Sequence, residues 1–122
     1  MTRRTERIAE QLRAEIARIL REEATDPRIR LVSLTRVDVA PDLSHAIVFW
    51  SALDTSDTDS IERIQEGLES AAPFVRRCLA RELPLKRIPE PRFRYDPSLV
   101  LGSATLSLLR TLDGNEKNDE TG

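Results

Sequence analysis

Seven cationic side chains, Arg76, Arg77, Arg81, Lys86, Arg87, Arg92 and Arg94, fall within 19 consecutive residues of the chain. Guanidinium forks match phosphate oxygens bidentately, and a cluster of them supplies contacts that hold a polyanion without reading its sequence. Arg77 and Arg81 stand one helical turn apart, as do Arg3 and Arg7 near the N-terminus. Like charges at that spacing cost an isolated helix a few tenths of a kcal/mol, a cost that an anionic partner would offset. A solvated helix face is the alternative for both pairs. Seventeen of the 19 basic residues are arginine, which suits phosphate contact, although a GC-rich genome produces the same bias.

Other chemistries find little support. Phosphate-cradling loops need clustered glycines, and Gly67, Gly102, Gly114 and Gly122 lie far apart. One cysteine, Cys78, and one histidine, His45, exclude an internal disulfide, a CxxC redox pair and a multi-Cys/His zinc site. Ser44 and His45 are neighbours in sequence, which does not make a triad, because nucleophile, base and orienting acid must meet in space. Asp54, Asp57 and Asp59 share only composition with a calcium loop. The glycine and terminal glutamate of such a loop are absent, and helix capping explains these acids better. No catalytic residue, metal site or cofactor is expected.

The chain has 122 residues, 39% of them apolar, enough for one domain with a single core. The net charge of −2 conceals a polarised distribution. Residues 31–72 hold two basic and eight acidic side chains, whereas residues 73–97 hold seven and three. An acidic pI therefore does not exclude a polyanionic partner. No apolar run approaches membrane-spanning length, and the N-terminus interleaves both charge signs. A cytoplasmic protein with no membrane partner is expected.

The elements that must position these residues follow from periodicity. Ile8, Leu12, Ile16, Ile19 and Leu20 recur at helical spacing and predict an amphipathic helix from about Thr5 to Ala24, stopped by Asp26-Pro27. Its opposite face collects Arg3, Arg7, Arg18 and Arg21. Leu31–Val39 reads as a strand whose alternation changes phase between Leu34 and Val37, as a bulge or a two-sided burial would require. A turn at 40–44 leads into a second, antiparallel strand from His45 to Leu53. A second helix is expected from about Ser60, capped by Asp59 with Glu62. Ile61, Ile64, Leu68, Ala71, Val75, Leu79 and Leu83 form its buried side.

Pro73 has no N–H for the carbonyl of Glu69, so this helix should kink or divide near Ala71-Ala72-Pro73. A third strand around Phe93 and Tyr95 alternates with Arg92 and Arg94, and its prolines suit an edge. Leu99–Leu112 suggests a short terminal helix. The order predicts an α+β domain, helix-strand-strand-kinked helix-strand, with the helices on one face of a small mixed three-stranded sheet. It spans 1–112 and leaves a disordered polar tail at 113–122.

Three segments together carry a resemblance: Val37-Asp38-Val39-Ala40-Pro41-Asp42-Leu43-Ser44-His45-Ala46, then Ser70-Ala71-Ala72-Pro73-Phe74-Val75-Arg76, then Ile88-Pro89-Glu90-Pro91-Arg92-Phe93-Arg94-Tyr95-Asp96-Pro97-Ser98, with Gly102. In this order and spacing they resemble bacterial ribosome-binding factor A, over about residues 3–112. The resemblance implies a type II KH-like domain that binds the small ribosomal subunit and its rRNA late in assembly. It further implies a role in maturing rRNA ends, support of growth in the cold, and no catalysis. A monomer working alongside assembly GTPases is the expected form. Two positions depart from the family pattern. Ala71-Ala72-Pro73 stands where the family usually has Ala-x-Gly, and Ile47 stands where a basic residue is frequent. The competing reading of the chain is a small α/β protein-interaction or dimerisation domain without an RNA role.

Overall fold

The computed structural model describes residues 3–52 and 57–97. Helix α1 (Arg3–Glu22) leads through a 3₁₀ turn at Pro27–Ile29 to the antiparallel strands β1 (Val32–Val39) and β2 (His45–Ala52). Helix α2 (Thr58–Glu82) then crosses to β3 (Glu90–Tyr95). The sheet order is β1-β2-β3, with β1 antiparallel and β3 parallel to β2. This is the predicted α+β arrangement with a small mixed sheet. The terminal helix expected at 99–112, the tail at 113–122 and Asp54 lie outside the described residues.

Burial explains why the two helices share one face of the sheet. Ile8, Leu12, Ile16, Ile19 and Leu20 of α1 are buried, as are Leu68, Val75, Cys78 and Leu79 of α2. They join Val37, Val39, Ala46, Val48, Trp50 and Phe93 of the sheet in one cluster. Trp50 is fully buried. Its indole N–H donates to Gln65 Oε1 at 2.7 Å, and Gln65 Nε2 donates to the Phe93 carbonyl at 2.8 Å. Gln65 thus ties α2 to both parallel strands. Gly67 lets the 3₁₀ turn approach α2 closely, since a Cβ there would lie 3.1 Å from Ile29 Cγ2 and from Asp26 Oδ2.

The change of phase in β1 is a register shift between Leu34 and Arg36. The extra residue, Thr35, donates its hydroxyl to Asp96 Oδ2 at 2.6 Å, so the bulge ties β1 to the exit of β3. The β1–β2 turn places Leu43 at φ 62°. Asp42 Oδ1 accepts from the Ser44 amide at 3.0 Å and its hydroxyl at 2.7 Å. The Ser44 carbonyl in turn accepts the Glu90 amide at 3.1 Å, which fixes where β3 begins.

Two details of α2 differ from the sequence-based expectation. The helix starts at Thr58 and is capped by Asp57, whose side chain accepts from Ser60 N at 3.0 Å, so the cap is Asp57 and not Asp59. Of the two outcomes expected at Pro73, a kink or a division, the division does not occur: α2 runs unbroken from Thr58 to Glu82 with Pro73 inside it. Leu68 and Val75 are both fully buried on either side of the proline, and this common core holds the two halves in one helix. Pro73 still removes the hydrogen bond to Glu69. Pro73→Ala is therefore expected to raise stability by about 1–3 kcal/mol, measured by thermal unfolding. An unchanged or lower melting temperature would show that tertiary packing here prefers the proline.

Candidate nucleic-acid interface

The second half of α2, the following loop and the start of β3 enclose an open groove of about 680 Å³. Its lining includes Ala72, Pro73 and Pro91. Its cationic rim is Arg76, Arg77, Lys86 and Arg87, with one carboxylate, Glu90. The helix contributes Arg76 and Arg77 because they lie off the stripe made by Val75, Cys78 and Leu79, which is buried in the core. Lys86 and Arg87 arrive on the loop, and that loop is braced. Arg76 donates from Nε (3.2 Å) and Nη2 (3.0 Å) to the Ile88 carbonyl. Two bonds from one planar guanidinium to one carbonyl hold the loop against the helix.

Arg77, Lys86 and Arg87 are exposed, and none has a carboxylate within ion-pairing distance among the described residues. The charges of Arg77 and Lys86 are thus not spent on the fold. Arg87 lies close enough to the β1–β2 turn to help hold the Asp42 carboxyl below its usual range, although the Ser44 hydrogen bonds are the larger cause.

The remaining predicted residues are elsewhere. Arg81 turns toward α1, with Nη2 3.3 Å from Glu23 Oε1, and its Nη2 also lies 3.5 Å from Cys78 Sγ. Glu23 also receives Arg18 Nη1 at 2.9 Å. The Arg18 hydrogen bond is the main reason that the Glu23 carboxyl is held below its ordinary value of 4.5, with the Arg81 charge adding to it. Burial pushes the Cys78 thiol up, and its contact with Glu23 does so further. Arg81 is therefore a clamp between the helices, and Arg18 belongs to the same cluster. The expected basic face of α1 is divided accordingly. Arg3 and Arg7 are exposed and lack a carboxylate partner among the described residues, but neither lines the groove.

Arg92 and Arg94 alternate with the buried Pro91 and Phe93, so they project from the sheet surface opposite the helices. The seven cations are thus not one patch: four rim the groove, one clamps the helices, and two lie on the open side of the sheet. That open side also carries Arg36, which sequence reasoning did not single out, and Phe49, which as a strand aromatic could equally have been core. The register pairs Arg36 with Phe49 and Phe49 with Arg94. The Arg36 guanidinium lies 4.2 Å from the Phe49 ring centroid and that of Arg94 5.9 Å. The β1 bulge sets this pairing, and only the phase change in β1 hinted at it. Among the described residues no group of three or more His, Cys, Asp or Glu is placed to hold a metal ion, and no helix is long and apolar enough to cross a membrane.

Comparison with known proteins agrees with this geometry. Residues 4–109 match the family model described as ribosome-binding factor A. A relative of that name from Dechloromonas aromatica (strain RCB) is 41% identical over 118 residues, covering 97% of this chain and 92% of the relative. The crystal structure of ribosome-binding factor A from Thermus thermophilus superposes with a TM-score of 0.64 at 23% identity, covering 75% of this chain and 94% of that one. A homology model of the Thermus thermophilus factor, fitted into the cryo-EM map of a 30S complex, gives a TM-score of 0.60 at 22% identity, with 76% and 96% covered. The helix pair on a three-stranded mixed sheet, the order of the segments and the match over most of the chain lead to one conclusion: this chain belongs to the ribosome-binding factor A family.

Proposed function

We propose that the chain is an assembly factor that binds the small ribosomal subunit through rRNA during late maturation and end processing, and that the groove between α2 and β3 is its main phosphate-binding surface. The observation that carries this reading is the groove rim, where Arg77, Lys86 and Arg87 are held on a braced loop and helix without carboxylate partners among the described residues. The family's relative seen in a 30S complex supports the same target. Phosphate contacts of this kind position RNA without sequence readout. The protein acts as a binder and not as an enzyme, in the cytoplasm, as a monomer alongside assembly GTPases. Arg3 and Arg7 add weaker contacts from α1.

The test is co-sedimentation of the full chain with purified small subunits, large subunits and whole ribosomes over a range of salt. Selective binding to small subunits is expected, with log affinity falling against log salt at a slope of about −2 to −3, as three or four phosphate contacts on single-stranded or irregular RNA require. Binding that ignores salt, or that is equal for large subunits, would overturn this reading in favour of an apolar protein-docking domain.

A further inference from the structure

The open side of the sheet, turned away from the helices and outside the groove, carries two cross-strand rows. Asp38, Ile47 and Arg92 form one, and Arg36, Phe49 and Arg94 the other. Phe49 is a half-buried aromatic on a surface where no element among the described residues covers it, and it has a guanidinium on each flank, at 4.2 and 5.9 Å. Arg36 is tethered by Asp38 at 3.2 Å with its side chain 60% exposed, and Arg92 is tethered by Glu90 at 3.7 Å with 57% exposed. Arg94 has no carboxylate partner among the described residues. Each acid therefore ties an arginine to a neighbour two positions away on its own strand, while one cation stays uncompensated beside the ring.

We propose that this row is a stacking platform for one or two unpaired bases of RNA, continuous with the groove. The inference rests on the groove reading and names a second contact for the same strand. Continuity comes from β3, the edge strand. Glu90 and Pro91 belong to the groove wall, Glu90 pairs with Arg92 on the open side, and Arg94 follows two residues later. A strand leaving the groove over this edge meets Arg92 first and Phe49 next. The chemistry selects a base over an acidic peptide. A guanidinium laid on an aromatic ring keeps its other planar face for stacking and its N–H edge for a phosphate, a combination that carboxylates do not use. Charge alone would not need Phe49. The simpler role of the row, cross-strand cation–π pairing that stabilises the sheet, predicts effects on melting and none on RNA.

The experiment uses the full chain with a short single-stranded RNA carrying one fluorescent adenine analogue, and with small subunits. Phe49→Leu keeps an apolar side chain and removes the ring. It is expected to weaken binding of the RNA about tenfold, the loss of one base stack, and to abolish the quenching of the analogue while leaving the salt slope unchanged. Phe49→Tyr should restore both. Arg94→Lys keeps the charge without the plane and should act in the same direction as Phe49→Leu, which keeps the test decisive if the leucine variant melts early. Wild-type affinity and quenching in both variants, while reversal of Arg77 and Arg87 abolishes binding, would overturn the platform and leave the groove intact. Absence of any salt-dependent binding by the wild type would overturn the groove reading and the platform with it. Loss of subunit binding in Phe49→Leu with RNA binding unaffected would assign this face to a ribosomal protein, and the platform would fall.

Discussion

The double variant Arg77→Glu, Arg87→Glu is expected to bind small subunits at least about a hundredfold more weakly than wild type while melting within a few degrees of it. Each charge-assisted contact to phosphate contributes about 1.5 kcal/mol or more, close to tenfold, and reversal adds repulsion to the loss. The salt slope should become shallower by about 1.4, two contacts at about 0.7 each. Stability is spared because both side chains are exposed and pair with no carboxylate among the described residues. Arg81→Glu provides the contrast. It would set a second carboxylate against Glu23, which Arg81 now meets at 3.3 Å, so its cost should appear in melting temperature more than in affinity. Co-sedimentation and thermal unfolding of the variants check both statements. A double variant that sediments like wild type would remove the groove from consideration.

The second large effect concerns the core that carries the groove. Trp50→Ala is expected to destabilise the chain by about 3–5 kcal/mol, lowering the melting temperature by at least about 10 °C. Trp50 is fully buried, meets Tyr95 edge-on with ring centroids 5.1 Å apart and donates to Gln65. Truncation opens a cavity between the sheet and α2 and leaves Gln65 Oε1 without that donor. Trp50→Phe fills most of the space and should cost less, about 1–3 kcal/mol, the difference being dominated by the lost hydrogen bond. A small effect in the alanine variant, read by thermal or denaturant unfolding, would mean that the sheet holds α2 without this network.

The two experiments probe different scales of the molecule, and they bear on how much could be read before folding. The stripe of Ile8, Leu12, Ile16, Ile19 and Leu20 was legible because a helix buries one face, and that demand is local. The phase change between Leu34 and Val37 pointed to a bulge or to two-sided burial, and the register settled on the bulge, since a strand with one buried face cannot change phase without an extra residue. Phe93 and Tyr95 alternating with Arg92 and Arg94 announced a strand, and its prolines pointed to an edge position or a strand start. The order of these segments was enough to suggest the family. Periodicity states which residues of an element share a face; it does not state what meets that face. Arg76 and Arg77 are adjacent and equally basic, yet one braces the Ile88 carbonyl and the other stands open to the groove. Arg81 resembles both in sequence and meets Glu23, 58 positions away. Pro73 signalled a kink or a division, and the division did not occur. The shared burial of Leu68 and Val75 keeps both halves in one helix, because packing over a whole helix outweighs one absent hydrogen bond. The pairing of Arg36 and Arg94 across Phe49 needed three strands in register, a condition that exists only once the sheet has formed. Charge density marked the region; the tertiary structure distributed its charges among bracing, clamping and open surface.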